Sequence, residues 1–191
     1  MYQPKPLPYS ISLIGISEKT HTIHHDKLYA GYVTKRNEIV EKLEQVDLTT
    51  ANPTYSDLRA LKAEETFAAN GMVLHEVFFD VVGEANNNAP ELQKQLVKDF
   101  GSVEQWQKLF TACGMASRGW VVLAWDTNDQ KLAVYSGDAH NQGGVWGCIP
   151  LIAMDVYEHA YFIDFGSDRK AYLEAFWQNL NWAAAEGRFK R

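Results

Sequence analysis

The stretch CIPLIAMDVYEHAYF, Cys148 to Phe162, changes character in its middle. Its first part, CIPLIAMDV, is an apolar run of the kind that is buried as a strand. At its end Asp155, Glu158 and His159 set two acids and an imidazole in apolar surroundings, with Asp155 and His159 four apart. Charged groups at the end of a buried strand need partners. What else in the chain reaches that strand end therefore decides the fold.

Reading upstream, GWVVLAWD (Gly119–Asp126), a turn at TNDQ, KLAVYSG (Lys131–Gly137) and the loop DAHNQGGVWG give two further strands. Before them lie two helices, APELQKQLVKDFG and SVEQWQKLFTACGMAS, closed by glycine or small residues, with Ser102 capping the second. Downstream, SDRKAYLEAFWQNLNWAAAEGRFK (Ser167–Lys190) reads as helical. The front half reads differently. His21–Leu48 is a helix with apolar or aromatic residues at Leu28, Tyr29, Tyr32, Val33, Ile39, Val40 and Leu43. DLTTANPT breaks it, and Ser56–Val82 is a second long helix with Ser56 as its cap. The segment GEANNNAP, Gly83–Pro90, marks the boundary. The expected class is α+β. An N-terminal helical hairpin domain covers residues 1–84, and a domain over residues 85–191 carries a three-stranded antiparallel sheet. There is no internal repeat and no low-complexity tract.

Composition narrows the function. At 191 residues, 46% hydrophobic and 13% aromatic, the chain has ample material for a packed core. No stretch of about 18 residues is apolar enough to span a membrane. The start, MYQPKPLPYS, lacks the basic and then apolar segments of a secretory signal, so a cytoplasmic protein is expected. Two cysteines, Cys113 and Cys148, make no ligand spacing and are expected as free thiols. The net charge of −6 and the lack of a basic run argue against nucleic acid. An anionic substrate would have to be drawn by a local basic patch.

Six histidines, at 21, 24, 25, 75, 140 and 159, are the candidate metal-binding imidazoles. Each has a plain reading: His75 in MVLHEVFF as a hydrogen-bonded core residue, His24 in TIHHDK as a solvated one, Asp155 and His159 as a strand end and its neighbour. Together, three imidazoles and a carboxylate stand at apolar–polar junctions of different elements. Such a set suits Mn or Fe, and no thiolates are present in a pattern that favours structural zinc. Spacing alone does not assemble them, since they lie more than a hundred positions apart.

A resemblance supplies the assembly. DVYEHAYFIDFGSDRKAYLEAFWQNLNW (Asp155–Trp182) resembles the C-terminal signature of iron/manganese superoxide dismutases, usually D-x-W-E-H-A-Y. LPYSISLIGIS with TIHHDKLYAGYV resembles that family's start and first ligand helix, AANGMVLHEVFF its second ligand helix, and SRGWVVLAW its first strand. Matched position by position, the resemblance implies metal ligands His24, His75, Asp155 and His159 between the two domains, with solvent as fifth ligand. It makes Tyr32 a gate at the substrate funnel, Trp120 and Phe78 aromatic walls, and Arg169 and Lys27 the basic residues at the funnel. Glu158 would reach across a homodimer, or a tetramer of such dimers, to orient the partner's His159. The implied reaction converts two superoxide radicals to O2 and H2O2 by redox cycling of one Mn or Fe ion. A hydrogen bond to the metal-bound solvent tunes the potential. In the family a glutamine makes it, from one of two places. The place four residues before the second histidine is Gly71 here, and the loop before the third strand offers Gln142, which resembles the manganese arrangement. His140, two residues earlier, is the alternative donor.

Departures from the pattern carry information. The usual tryptophan is Tyr157, whose hydroxyl needs a partner if buried. Ala153 resembles neither the manganese nor the iron form, leaving dual-metal use open. A histidine and a tyrosine that usually bond across the interface are Leu28 and Phe162, a paired loss that reads as a coupled exchange. Two other functions stand beside the dismutase reading. One is a catalytically weakened metal-holding dimer, an interaction or metal-buffering module. The other is an oxygenase iron site, for which a third histidine would fill a position that chemistry needs open.

Overall fold

The computed structural model describes residues 1–9 and 12–190. Ser10 and Ile11, within the quoted Leu7–Ser17 stretch, and Arg191 lie outside the described residues. The first long helical stretch is built in three parts: α1 (Glu18–Thr22), a π-helical segment (Ile23–Tyr29) and α2 (Ala30–Gln45). Ser17 caps α1 by accepting from the Thr20 N–H. The stretch thus begins earlier than the expected His21, ends before Leu48, and carries a widened turn that hydrophobic periodicity does not reveal. After a 3-10 turn at Leu48–Thr50 comes α3 (Asp57–Val81), capped as expected by Ser56, which accepts from the Arg59 N–H.

α2 and α3 pack as the helical hairpin. The buried stripe of α3 runs through Ala68, Gly71, Met72, His75, Phe78 and Phe79, a helical repeat of three and four. Gly71 permits the close approach: a Cβ there would stand 2.7 Å from Cδ1 of Tyr32 on α2.

In the second half, α4 (Pro90–Phe100) and α5 (Val103–Ala116) precede the sheet. Ser102 caps α5, and the far-off Glu186 carboxylate accepts from the Leu92 N–H at 2.7 Å at the start of α4. Strands β1 (Trp120–Asp126), β2 (Lys131–Gly137) and β3 (Cys148–Asp155) form an antiparallel sheet in the order β2-β1-β3, as expected. Pro150 sits on the edge strand β3, where its missing N–H is tolerated, beside a register shift between Leu123 and Ala124. Trp106, Phe110, Leu92, Leu96, Leu123, Leu151, Ile152 and Phe176 fill the core between sheet and helices.

The C-terminal segment is helical as expected, but it is not continuous. After the short α6 (Phe162–Phe165), it splits into α7 (Arg169–Gln178) and α8 (Trp182–Phe189). The cause is tertiary. Asn179 exchanges side-chain hydrogen bonds with the Ile14 backbone, while its carbonyl accepts from Gly83 N and Asn181 N donates to Val81 O. Those bonds draw the break onto the end of α3. Cys113 and Cys148 are free, and among the described residues no helix is long and apolar enough to cross a membrane.

Candidate metal centre

Strand register begins the site. Asp155, last in β3, lies opposite Trp120, first in β1, and Trp120 lies opposite Gly137, last in β2. A carboxylate, an indole and the loop after β2 are thereby set side by side. Asp155 is fully buried, and the Tyr157 N–H donates to its Oδ1 at 3.0 Å, leaving Oδ2 to face inward. The Tyr172 hydroxyl donates to the Asp155 carbonyl at 2.6 Å.

Three imidazoles meet Asp155 Oδ2. His24 comes from the π-helical segment, a widened turn of the kind that recurs at functional sites. His75 comes from the middle of α3, and His159 from the 3-10 turn Glu158–Ala160 just after β3. The Nε2 atoms of His24 and His159 are 3.0 Å from Asp155 Oδ2, and that of His75 is 3.5 Å away. One ligand atom from each of the four residues lies within 4.8 Å of the others. The convergence expected from the resemblance is present.

The donor chemistry fits a metal cation. His75 Nδ1 is 2.5 Å from the Gly71 carbonyl, which only accepts, so Nδ1 carries the proton and Nε2 presents a lone pair. That Nε2 is buried and has no hydrogen-bond partner among the described residues. An unpartnered buried acceptor aimed at a carboxylate and two more imidazoles is a costly arrangement unless a cation sits among them. Burial pushes His75 down to about 3, with His24 adding to the effect, and burial likewise lowers His24. Burial works to raise Asp155, but His159 and His24 outweigh it and hold the carboxyl well below its usual range. Burial also works to lower His159, yet its attraction to Asp155 prevails and raises it. The set thus presents an ionised carboxylate and two imidazoles, His24 and His75, shifted toward their neutral, lone-pair form, donors of the kind Mn or Fe accepts.

Aromatic rings close around the cluster. Phe78 lies 5.1 Å from the His24 ring, Trp120 stands edge-on to His75 at 5.1 Å, and Tyr32 stacks on His75 at 5.3 Å. Tyr157 lies 5.3 Å from His159 with the rings 14° from parallel.

Gln142 requires a correction. It is exposed, placed beyond a turn in which its N–H donates to the Ala139 carbonyl, and among the described residues its side chain makes no hydrogen bond to the cluster. His140 is buried there instead. Trp120 Nε1 donates to its Nδ1 at 2.8 Å, and its Nε2 is 2.7 Å from the Tyr32 hydroxyl. Indole N–H only donates, so His140 carries its proton on Nε2 and donates to the Tyr32 oxygen. Burial keeps His140 neutral, its pKa pushed down to about 4, and burial with the Asp155 charge pushes the Tyr32 phenol up to about 12.

The remaining expected residues are more scattered. Arg169 is half-buried, its guanidinium donating to the Ser117 carbonyl at 2.7 Å and to the Tyr161 hydroxyl at 3.2 Å, while Lys27 is exposed. Glu158 is exposed, Leu28 half-buried, and Phe162 55% exposed beside the equally open Ile163. Sequence reading missed Tyr172, Phe67, whose ring is 4.6 Å from that of His140, and Asn141, which donates to Thr66 Oγ1 at 3.2 Å. These contacts join residues 17 to 75 positions apart, and no local pattern marks them.

Comparison with known proteins bears on the whole chain. The alpha-hairpin domain of iron/manganese superoxide dismutases matches residues 1–83, and the C-terminal domain of the same family matches residues 88–188. The superoxide dismutase (Fe) of Aquifex aeolicus is 39% identical over 194 aligned positions, covering 99% of this chain and 91% of that protein. The superoxide dismutase (Fe) of Cupriavidus metallidurans is 40% identical, covering 99% of this chain and 96% of its own. The superoxide dismutase (Mn) 1 of Halobacterium salinarum is 31% identical, covering 100% and 96%. With both halves matched and the similarity running end to end, the chain belongs to the iron/manganese superoxide dismutase family.

Proposed function

We infer that this chain is a superoxide dismutase acting through one Mn or Fe ion held by His24, His75, Asp155 and His159, at the junction of the 1–84 and 85–191 domains. The observation that carries this is the bare, buried Nε2 of His75 facing the other three donors. When bound, the ion supplies reversible one-electron chemistry between two superoxide radicals, which with two protons leave as O2 and H2O2.

The side chains do the rest. Asp155 offsets cationic charge, and Tyr172 and the Tyr157 N–H hold it in place. Phe78 and Trp120 wall the pocket against larger reductants. His140, rather than Gln142, is the side chain of this loop that reaches the gate, bonded to Trp120 through Nδ1 and to Tyr32 through Nε2. Because it donates to the Tyr32 oxygen, the Tyr32 hydroxyl proton is left to point elsewhere, toward an anion arriving at the gate. Arg169 and Lys27 supply positive charge against the net −6 of the chain. With Gln142 exposed, this loop gives manganese no preference over iron, and either metal is retained.

Exposed Phe162 and Ile163 beside Glu158, and a His159 side chain left 26% open, support a homodimer that covers this face.

Metal-free protein reloaded separately with Mn and with Fe should regain superoxide dismutation with at least one. Two loaded but inactive forms would remove the enzymatic reading and leave the metal-holding dimer. Glu158→Ala should lower the solution mass by light scattering, and an unchanged dimer with full metal content would count against the interface role.

A further inference from the structure

The loop Asp138–Gln142 delivers His140 to the site without regular secondary structure, so its conformation has to be held by side chains. On the far side, Asn141 Nδ2 donates to Thr66 Oγ1 at 3.2 Å and Ala63 O at 3.4 Å on α3. On the near side, the Arg118 N–H donates to Asp138 Oδ1 at 3.0 Å. Tyr157 completes the near side. Its hydroxyl donates to the Asp138 carbonyl at 3.4 Å, and the His140 backbone N–H faces the phenol oxygen. Its ring lies 5.1 Å from the His140 ring and nearly parallel to that of His159. Gly119 forms the floor: a Cβ there would come within 2.9 Å of Tyr157 Cζ.

On the reading that His140 works beside the metal, we propose that Tyr157 is its positioning residue, a ring braced on the ligand His159 whose hydroxyl spans the backbone on both sides of Ala139. The task needs one atom that both donates and accepts. A phenol oxygen does so at the end of a flat ring. Phenylalanine offers neither function, and tryptophan has an N–H that only donates. Tyr157 is half-buried, and without the hydroxyl the Asp138 carbonyl loses this tether to the ring beside His140.

The test is Tyr157→Phe in the metal-loaded protein, which keeps the ring and its stack. Amide exchange read by mass spectrometry should speed up about tenfold in the segment Asp138–Gln142, the size expected for one lost hydrogen bond. The β1 amides and the metal content should be unchanged. Turnover should fall several-fold with KM little altered, and in a His140→Ala background the same substitution should add nothing, since both act through one imidazole. Unchanged exchange in the loop would overturn the proposal. So would an effect that adds to His140→Ala, or a loss of protection spread over the whole sheet, which would make Tyr157 merely structural. If the wild-type protein had no dismutase activity, the functional reading would fall while the exchange result stood.

Discussion

The four-donor cluster and the loop that carries His140 lie side by side but are built in opposite ways. His24, His75 and Asp155 project from a helical turn, the middle of a long helix and the last residue of a strand. Each is fixed by backbone hydrogen bonds that extend well beyond the site. His140 hangs on a few bonds, from Trp120, Tyr157 and the Asn141–Thr66 pair. Regular elements set position to within the tolerance a metal demands. The loop instead sets a hydrogen bond, which tolerates more. The cluster should therefore fail all at once and the loop by degrees.

The largest effect should come from Asp155→Asn. With the buried charge gone, the imidazoles lose the group that counters a cation, and metal retention should drop by more than about a hundredfold, taking activity with it. Full metal content by elemental analysis would break the assignment of Asp155 as a ligand.

His140→Ala should act next, lowering turnover about ten- to hundredfold while the metal stays bound. Gln142→Ala should leave turnover alone and change stability by no more than about 0.5 kcal/mol. If the glutamine substitution cost as much as the histidine one, the difference drawn between buried His140 and exposed Gln142 would fail.

The smallest effect concerns His21, buried on α1 and 2.8 Å from the Tyr9 hydroxyl. Burial pushes its pKa down from 6.5 to about 4. Between those values the unfolded chain binds a proton that the folded one refuses. The stability from this group is therefore full above about pH 6.5 and lost as pH falls toward 4. His21→Leu should lose less stability than wild type between about pH 7 and about pH 4.5, measured as the urea midpoint. Parallel curves for the two proteins would show that His21 takes no part in acid sensitivity.

The same contrast explains what was legible. The hairpin helices follow from apolar spacing and from Ser56, the strands from alternation around GWVVLAWD and CIPLIAMDV, and the four ligands from motifs matched to a family. Three features escaped. The π-helical turn at Ile23–Tyr29 has the same residue pattern as an α-helix. The break at Asn179 arises from its bonds to Ile14 and Gly83. The choice of His140 over Gln142 turns on where a glycine-rich loop folds back, and two residues of slip in DAHNQGG exchange a buried side chain for an exposed one.

By itself the sequence determined the element types, the two-part organisation and the identity of the residues able to bind a redox metal, because those depend on local periodicity, capping and side-chain chemistry. Only the tertiary structure decided which imidazole bonds Tyr32, why Gly71 must lack a side chain, and how Tyr157 reaches the loop beside it. Each of those depends on atoms brought together across the fold, where packing distances of a few ångströms, set by strand register and helix contact, select one arrangement among several that the local sequence allows.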